Sequence, residues 1–299
     1  MSLYALIGAI ETGLAFALVA LAAYVTFRVL DFPDLTVEGS FPFGAAIAAV
    51  LMIGGVNPWL ATALAGIAGA VTGLVTGVLN LKIRILNILS GILTAIALYS
   101  VNLRVMGRPN IGLIGIDTVY STIEHLGIRA FYAPVTLLAL VVIVCKLLLD
   151  LFLSTGYGLA MRAAGANPRM ARANGINVDR MIYVGLAIAN ALTALSGALF
   201  AQMLGAADVS MGIGVIVVAL AAVIGGTALM PSRVIVLATL ACVAGSLLYR
   251  LVIALALSSN AVGFTASDVN LVSAVLVAIA LYLPRRKIKS FKPLVRLAQ

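Results

Sequence analysis

Runs of about twenty apolar residues follow one another along most of this chain, and that succession leaves few folds open to it. Backbone polar groups inside hydrocarbon have no water to pair with, so a single segment crosses a bilayer as a helix. The expected spans are 3–29, 43–53, 59–79, 85–103, 130–153, 181–204, 212–229, 234–257 and 269–283, about nine in all. Of 299 residues, 63% are hydrophobic and 10% charged, where a soluble domain has about a quarter charged. The expected fold class is an all-α integral membrane protein, a polytopic helix bundle. One membrane domain over 1–299 is expected, because no water-facing segment is long enough to bury a core of its own. The first run is expected to stay as a span: no positive charge precedes Arg28, and Glu11 interrupts a run longer than the apolar core of a cleaved signal.

Charge sets the expected orientation. The formal net charge is +9, and six lysines and arginines fall in the last fifteen residues. Lys82 and Arg84, the loop 155–180, Arg233 and the tail 285–299 are expected on the cytoplasmic side, with the N-terminus outside and the C-terminus inside. That assignment also makes the link 28–42 cytoplasmic, despite Asp31, Asp34 and Glu38. The tail's charges suit anionic membrane lipids. The basic residues sit at span ends and not among aromatics, so nucleic acid is not an expected partner.

Other chemistry is thin. Cys145 and Cys242 lie in apolar runs and behave as small hydrophobes, and the lone His125 has no neighbour to complete a metal site. No Gly-x-x-x-x-Gly-Lys-Ser/Thr phosphate loop occurs. Gly69, Gly73 and Gly77, with Ala65 before them, share one helix face and should admit a neighbouring backbone.

The stretch 155–180 is the long polar interruption. It holds Arg162, Arg169, Arg172 and Arg180 against one acid, Asp179. Asn167 is the expected N-cap of a helix opened by Pro168, about two turns long to Asn174, and Gly175 is the expected left-handed stop. Asn177 and Asp179 look like the start of the next span. A second irregular piece is expected near 31–42. The run 43–53 is too short to cross alone, so part of Asp34, Glu38, Gly39 and Ser40 should lie at membrane depth, surrounded by protein.

Polar groups inside spans are the pathway candidates. Glu11 leads, since an ionisable group in a span faces the bundle interior or water, the alternative being a structural cap. Asn87, Ser90, Thr94, Asn190, Thr193 and Ser196 follow, with the reservation that serine and threonine often bond to their own helix.

The order of residues in the loop, Thr155-Gly156-x-Gly158-x-Ala160-x-Arg162-Ala163-x-Gly165-Ala166-Asn167-Pro168-x-x-Ala171-x-x-x-Gly175-Ile176, resembles the coupling loop of permease subunits of bacterial ABC importers, of the branched-chain amino acid and ribose-type branch. Residues 34–40 resemble the Asp-Leu-Ser-Val-Gly-Ser signature of sugar permeases in that family, with Glu38 as an extra residue, and Phe43-Gly44-Ala45 fits the step that follows. Residues 87–107 are similar to the family's fourth-span region but carry Asn87 and Asn102. The resemblance spans about residues 9–283.

It implies a permease subunit in the bacterial inner membrane that is not itself an enzyme. A second permease chain, identical or paralogous, would flank the pathway with it. Separate ATPase subunits would carry ATP and magnesium, and an extracytoplasmic binding protein would deliver solute. It also implies an ATPase-coupling role for Arg162, Gly165, Ala166, Asn167, Pro168, Ala171 and Gly175. Arginine placed at Gly165 or Ala166 should then uncouple hydrolysis from uptake and leave folding intact. An amino-acid-like solute is favoured over a sugar or nucleoside, because the spans offer little aromatic or acidic lining. Ion-coupled secondary transport is the alternative; it needs titratable groups near the midplane and usually an internal repeat, and the sequence offers Glu11 and no clear repeat. A membrane enzyme or scaffold has no histidine or carboxylate cluster to support it.

Overall fold

The computed structural model describes residues 3–124, 132–232 and 234–258. The expected span 269–283, the basic tail 285–299, His125 and Arg233 lie outside the described residues. Among those described, six helices are long and apolar enough to cross a bilayer: α1 Leu3–Ala23, continued by a π-helical turn Tyr24–Val29; α3 Pro58–Leu81; α4 Asn87–Met106; α6 Ala133–Ser154; α9 Val178–Leu204; and α11 Ile235–Ser258. Two shorter apolar helices, α2 Val37–Ile53 and α10 Val215–Leu229, pack with them among the described residues. The small pieces are α5 Val119–Glu124, α7 Gly156–Ala166, α8 Pro168–Ala173 and two strands, β1 Asn110–Gly112 and β2 Ala206–Asp208. The strands pair antiparallel with Asn110 opposite Asp208.

Helix α1 is the central post. From Ala15 to Ala23 every residue is buried, mostly alanine and leucine, so neighbours can close on it from all sides. Phe16 anchors the middle, stacked on Phe41 of α2 and edge-on to Phe200 of α9, both with ring centres 5.5 Å away. By contrast α3, α4, α6 and α11 each expose a file of large apolar side chains, among them Ile67, Val71, Ile92, Ile96, Leu147 and Leu240. Those faces suit lipid or another apolar surface.

Glycine sets how closely the helices approach. An added Cβ at Gly69 would stand 2.4 Å from the Asn190 carbonyl, one at Gly73 2.2 Å from the Leu186 carbonyl, and one at Gly77 2.7 Å from the Tyr183 ring. The expected packing face on α3 therefore meets α9, running antiparallel to it. Gly44 and Gly197 do the same between α2 and α9, where an added Cβ would reach the Ala194 and Phe41 carbonyls at 2.0 and 1.9 Å.

Two chain breaks lie inside the bundle. After the π-helical turn, Asp31 takes a left-handed φ of 53° and the chain runs irregularly to Thr36. Thr36 bonds Thr76 of α3, five residues from that helix's end, so the break sits about 7 Å inside it. The irregular piece is shorter than the expected 31–42: helix resumes at Val37 and runs through Pro42, placing Glu38, Gly39 and Ser40 in the first turns of α2. Within the link Arg28 and Asp31 are exposed, whereas Asp34 and Thr36 have no exposed area and lie inside the protein. The second break, 209–214, descends from β2 until Gly212 rests on the Glu38 carbonyl and Pro42. Gly214, at φ 78°, then opens α10, and its N–H donates to Glu38 Oε1 at 3.2 Å. Both short helices thus begin inside the protein, where buried partners satisfy the interrupted backbone.

The strands and α5 lie at the bundle end opposite α7 and α8. There Asp208 accepts from Ser210 Oγ at 2.5 Å, from the Ser210 N–H and from Asn110 Nδ2. The Ser210 hydroxyl is the main cause of its carboxyl titrating below the usual range.

Candidate functional site

The loop between α6 and α9 folds as a pair of short helices. Thr155 caps the first, its hydroxyl accepting from the Gly158 N–H at 3.3 Å. Asn167 caps the second, accepting from the Met170 N–H at 3.1 Å, with Pro168 in the first turn. Gly175, at φ 79°, follows the end of α8, and Asn177 caps α9 through the Arg180 N–H. Helix α7 was not expected from the sequence; its signals are the Thr155 cap and the buried file Gly158, Met161 and Ala164.

This pair is seated on the end of α1. Gly165 lies so close to the π-helical turn that a Cβ would stand 2.0 Å from the Val29 carbonyl oxygen and 2.9 Å from the carbonyl carbon of Leu30. Ala171 is the buried residue of α8, on the side turned to the protein. Of the seven loop residues singled out, Gly165 and Ala171 therefore face the protein, while Arg162, Ala166, Asn167, Pro168 and Gly175 are exposed. Arginine at Gly165 is not a test that leaves folding intact, since it meets backbone; Ala166 remains suitable. Arg172 pairs with Asp179 at 3.2 Å, with 58% and 56% of the two side chains exposed. An exposed pair of this kind contributes about 0–1 kcal/mol. Asp179→Ala is expected to leave the thermal midpoint within about 2 °C of wild type by detergent-phase melting.

Under the seat lies a buried polar cluster. Asp34 Oδ1 accepts from the Thr36 N–H at 2.9 Å and Oδ2 from Asn190 Nδ2 at 2.8 Å. Asn190 Oδ1 accepts from Ser40 at 2.7 Å, and Ser40 meets Thr72 at 2.7 Å. Thr36 continues through Thr76 at 2.7 Å to Thr94 at 3.0 Å, and Thr94 donates to the Ser90 carbonyl. The cluster joins the first break to α3, α4 and α9. Gly91 of α4 makes room for it, since a Cβ there would lie 2.7 Å from the Leu35 nitrogen.

Of the pathway candidates, Asn190 and Thr94 enter this cluster, and Ser90 borders it through its backbone. Asn87 instead accepts from Asn80 at 2.7 Å and ties the α3–α4 turn. Thr193 bonds its own helix at Ala189, and Ser196 donates to the Ala15 carbonyl at 2.6 Å. Glu11 stands apart, half-buried on α1. Gly39 packs on Ala95 and Leu98 of α4, and Asn102 reaches its carbonyl at 3.5 Å. Thr72 and Thr76 are the members sequence reasoning passes over; threonine on the glycine face of α3 is their only signal. Sequence reasoning also passes over Arg250, a lone cation in the apolar run of α11 that lies outside this cluster, over the Phe16 ring. A hollow of about 240 Å³ between α6 and α9, lined by Cys145, Leu148, Leu149, Phe152, Ile188 and Leu192, offers a solute no polar side chain beyond a thiol.

Comparison with known proteins identifies the family. Residues 5–283 match the model of the family described as branched-chain amino acid transport system / permease component. The chain is 39% identical over 272 residues to the tyrosine transport system permease protein of Clostridioides difficile, covering 91% of this chain and 88% of the relative. It is 31% identical to the nucleoside ABC transporter permease protein NupC of Lactococcus lactis, covering 56% and 58%. It is 26% identical to the probable branched-chain amino acid transport permease protein LivH of Methanocaldococcus jannaschii, covering 73% and 72%. No solved structure matches. With a family match over nearly its full length and a permease relative 39% identical over 91% of the chain, the chain belongs to the branched-chain amino acid permease family of ABC importers, as a transport subunit that is not itself an enzyme.

Proposed function

We propose that this chain forms the translocation pathway of an ATP-driven importer for a small polar solute of the amino acid class, with α7 and α8 as the contact for separate ATPase subunits. The seating of the loop carries the reading: an exposed face bearing Arg162, Arg169 and Arg172 rests through Gly165 on the end of α1, next to the break that holds Asp34. A push on that face reaches the break directly. The partners are two ATPase subunits bearing ATP and magnesium, a second permease chain, an extracytoplasmic binding protein and the surrounding lipid. The N-terminus lies outside and the loop and C-terminus inside, because Arg28, Lys82, Arg84 and the loop arginines collect at one end of the bundle. The amino acid class is supported by the tyrosine and branched-chain relatives; the Lactococcus relative makes nucleosides the competing class.

The test is co-purification and uptake. Tagged wild type is expected to bring down an ATPase subunit and to support ATP-dependent uptake of a labelled amino acid with its binding protein. Ala166→Arg should insert and melt as wild type yet lose at least about tenfold in uptake, a loss that one disrupted contact suffices to cause. Uptake in liposomes under an ion gradient, without any ATPase subunit, contradicts the reading.

A further inference from the structure

Arg250 sits sixteen residues into α11, about 22 Å along the helix from Ile235 and about 12 Å from Ser258. A cation there is costly unless something answers it. The described residues contain two ion pairs, Lys146 with Asp150 and Arg172 with Asp179, and neither involves Arg250. Its guanidinium lies over the Phe16 ring instead, with the central carbon 4.1 Å from the ring centre. Its Nε is buried with no hydrogen-bond partner. The position is held firmly: Ser246, one turn earlier, donates to the Gly13 carbonyl at 2.7 Å, and Gly13 lets α11 press against α1. Behind Phe16, Phe41 and Phe200 complete a group of three rings with centres no more than 5.7 Å apart.

A guanidinium stacked on a ring has used one face and still presents its edges. Those edges carry N–H donors in the fork that matches two carboxylate oxygens. The unanswered Nε–H belongs to one such edge. The site also lies where α1, α2, α9 and α11 meet, beside the first turns of α2 on which the second break rests. A zwitterionic solute passing between these helices would meet one cation whose Nε–H has no partner, held in place by the Phe16 ring.

We propose that Arg250 holds the carboxylate of the transported amino acid during passage, with Phe16 orienting the guanidinium. This rests on the amino acid reading above. The same donors suit a lipid phosphate, but the side chain turns onto α1 and not toward the helix end, so the solute carboxylate is the ligand assigned.

Saturation-transfer NMR on the full chain with its ATPase partners in nanodiscs tests this, with L-tyrosine and its decarboxylated analogue tyramine as probes. Tyrosine is expected to bind wild type at least about tenfold more tightly than tyramine, the ratio expected from losing a charge-assisted contact. Arg250→Gln should erase that preference. Arg250→Lys should keep part of it, and Phe16→Leu, which conserves apolar bulk, should reduce it. The lysine and leucine variants keep the test open if the glutamine variant fails to fold. Equal binding of the two probes to wild type overturns the proposal, as does a glutamine variant that still prefers tyrosine, which leaves Arg250 as a brace between α1 and α11. A thermal midpoint that depends on anionic lipid in wild type but not in Arg250→Gln, with no tyrosine preference in either, assigns the arginine to lipid phosphate and overturns the proposal too. Uptake by the intact complex separates the two levels. If no carboxylated solute is carried, both readings fall; if one is carried and Arg250→Gln still discriminates, only the role of the arginine falls.

Discussion

Replacing Gly73 with leucine is expected to remove the folded permease from the membrane. A Cβ at this position would stand 2.2 Å from the Leu186 oxygen, 2.5 Å from the Leu186 carbonyl carbon and 2.9 Å from the Ala187 nitrogen. All three are backbone atoms of a helix, so no rotamer change relieves the contact. Helix α3 must withdraw from α9 by an ångström or more. Withdrawal pulls Thr72 from Ser40, Thr76 from Thr36 and Thr62 from Gln202, which strips partners from groups with little or no exposed area. Overpacking alone costs about 1–3 kcal/mol, and each buried polar group left unpaired adds about 1–3 kcal/mol. Together these approach the whole stability of a typical domain. Gly66 on the same helix supplies the control, because a Cβ there meets nothing nearer than 3.8 Å. Fluorescence-detected size exclusion should show a monodisperse peak for Gly66→Ala and none for Gly73→Leu. A Gly73→Leu protein of normal yield and melting temperature rules out the tight α3–α9 contact.

Asp34→Asn is expected to have the second largest effect, although it changes only one oxygen to an amide. Both Asp34 oxygens accept, one from the Thr36 N–H and the other from Asn190 Nδ2. An asparagine must turn its own N–H₂ toward one of these donors. The neighbouring amide does not flip to help, because Asn190 Nδ2 also donates to the Leu186 carbonyl at 3.0 Å and Asn190 Oδ1 accepts from Ser40. Flipping it sets oxygen against oxygen. One buried donor is left unpaired in either arrangement, at about 1–3 kcal/mol, and the break loses its tie to α9. The variant should melt several degrees lower and lose uptake more than stability, since the tie lies between the loop seat and the rest of the pathway. Asn190→Leu should behave alike, and the double variant should cost less than the two single changes added, because they break the same contact. Strict additivity in that cycle removes the pairing from the account.

The two variants probe different kinds of information. Gly73 announces itself in the sequence, at four-residue spacing within an apolar run, and helical periodicity alone puts it on a packing face. The loop was legible for the same local reason: Asn167, Pro168, Gly175 and Asn177 act within three residues of themselves, and each plays the capping or terminating part its chemistry favours. The polar cluster was legible only in pieces. Asp34, Ser40, Thr94 and Asn190 are recognisable as polar groups at membrane depth, but their partnership joins residues up to 156 positions apart. Asn87 carries the same polar group and does something else, because Asn80 is within its reach. Composition tells that such a group needs a partner and not which partner it finds.

What the sequence determined by itself was everything enforced by solvent and by short range. Hydrocarbon excludes unpaired backbone, so apolar runs become helices; capping residues end them; arginines mark the polar loop. What only the tertiary structure decided was which helix meets which, and hence the seat of Gly165 on α1, the depth at which α2 and α10 begin, and the company kept by Asp34 and Arg250. The physical reason is range. Helix formation and capping are settled within a few residues of chain, whereas pairing in the bundle depends on shape and on the satisfaction of buried polar groups across helices far apart in sequence, for which no local pattern exists.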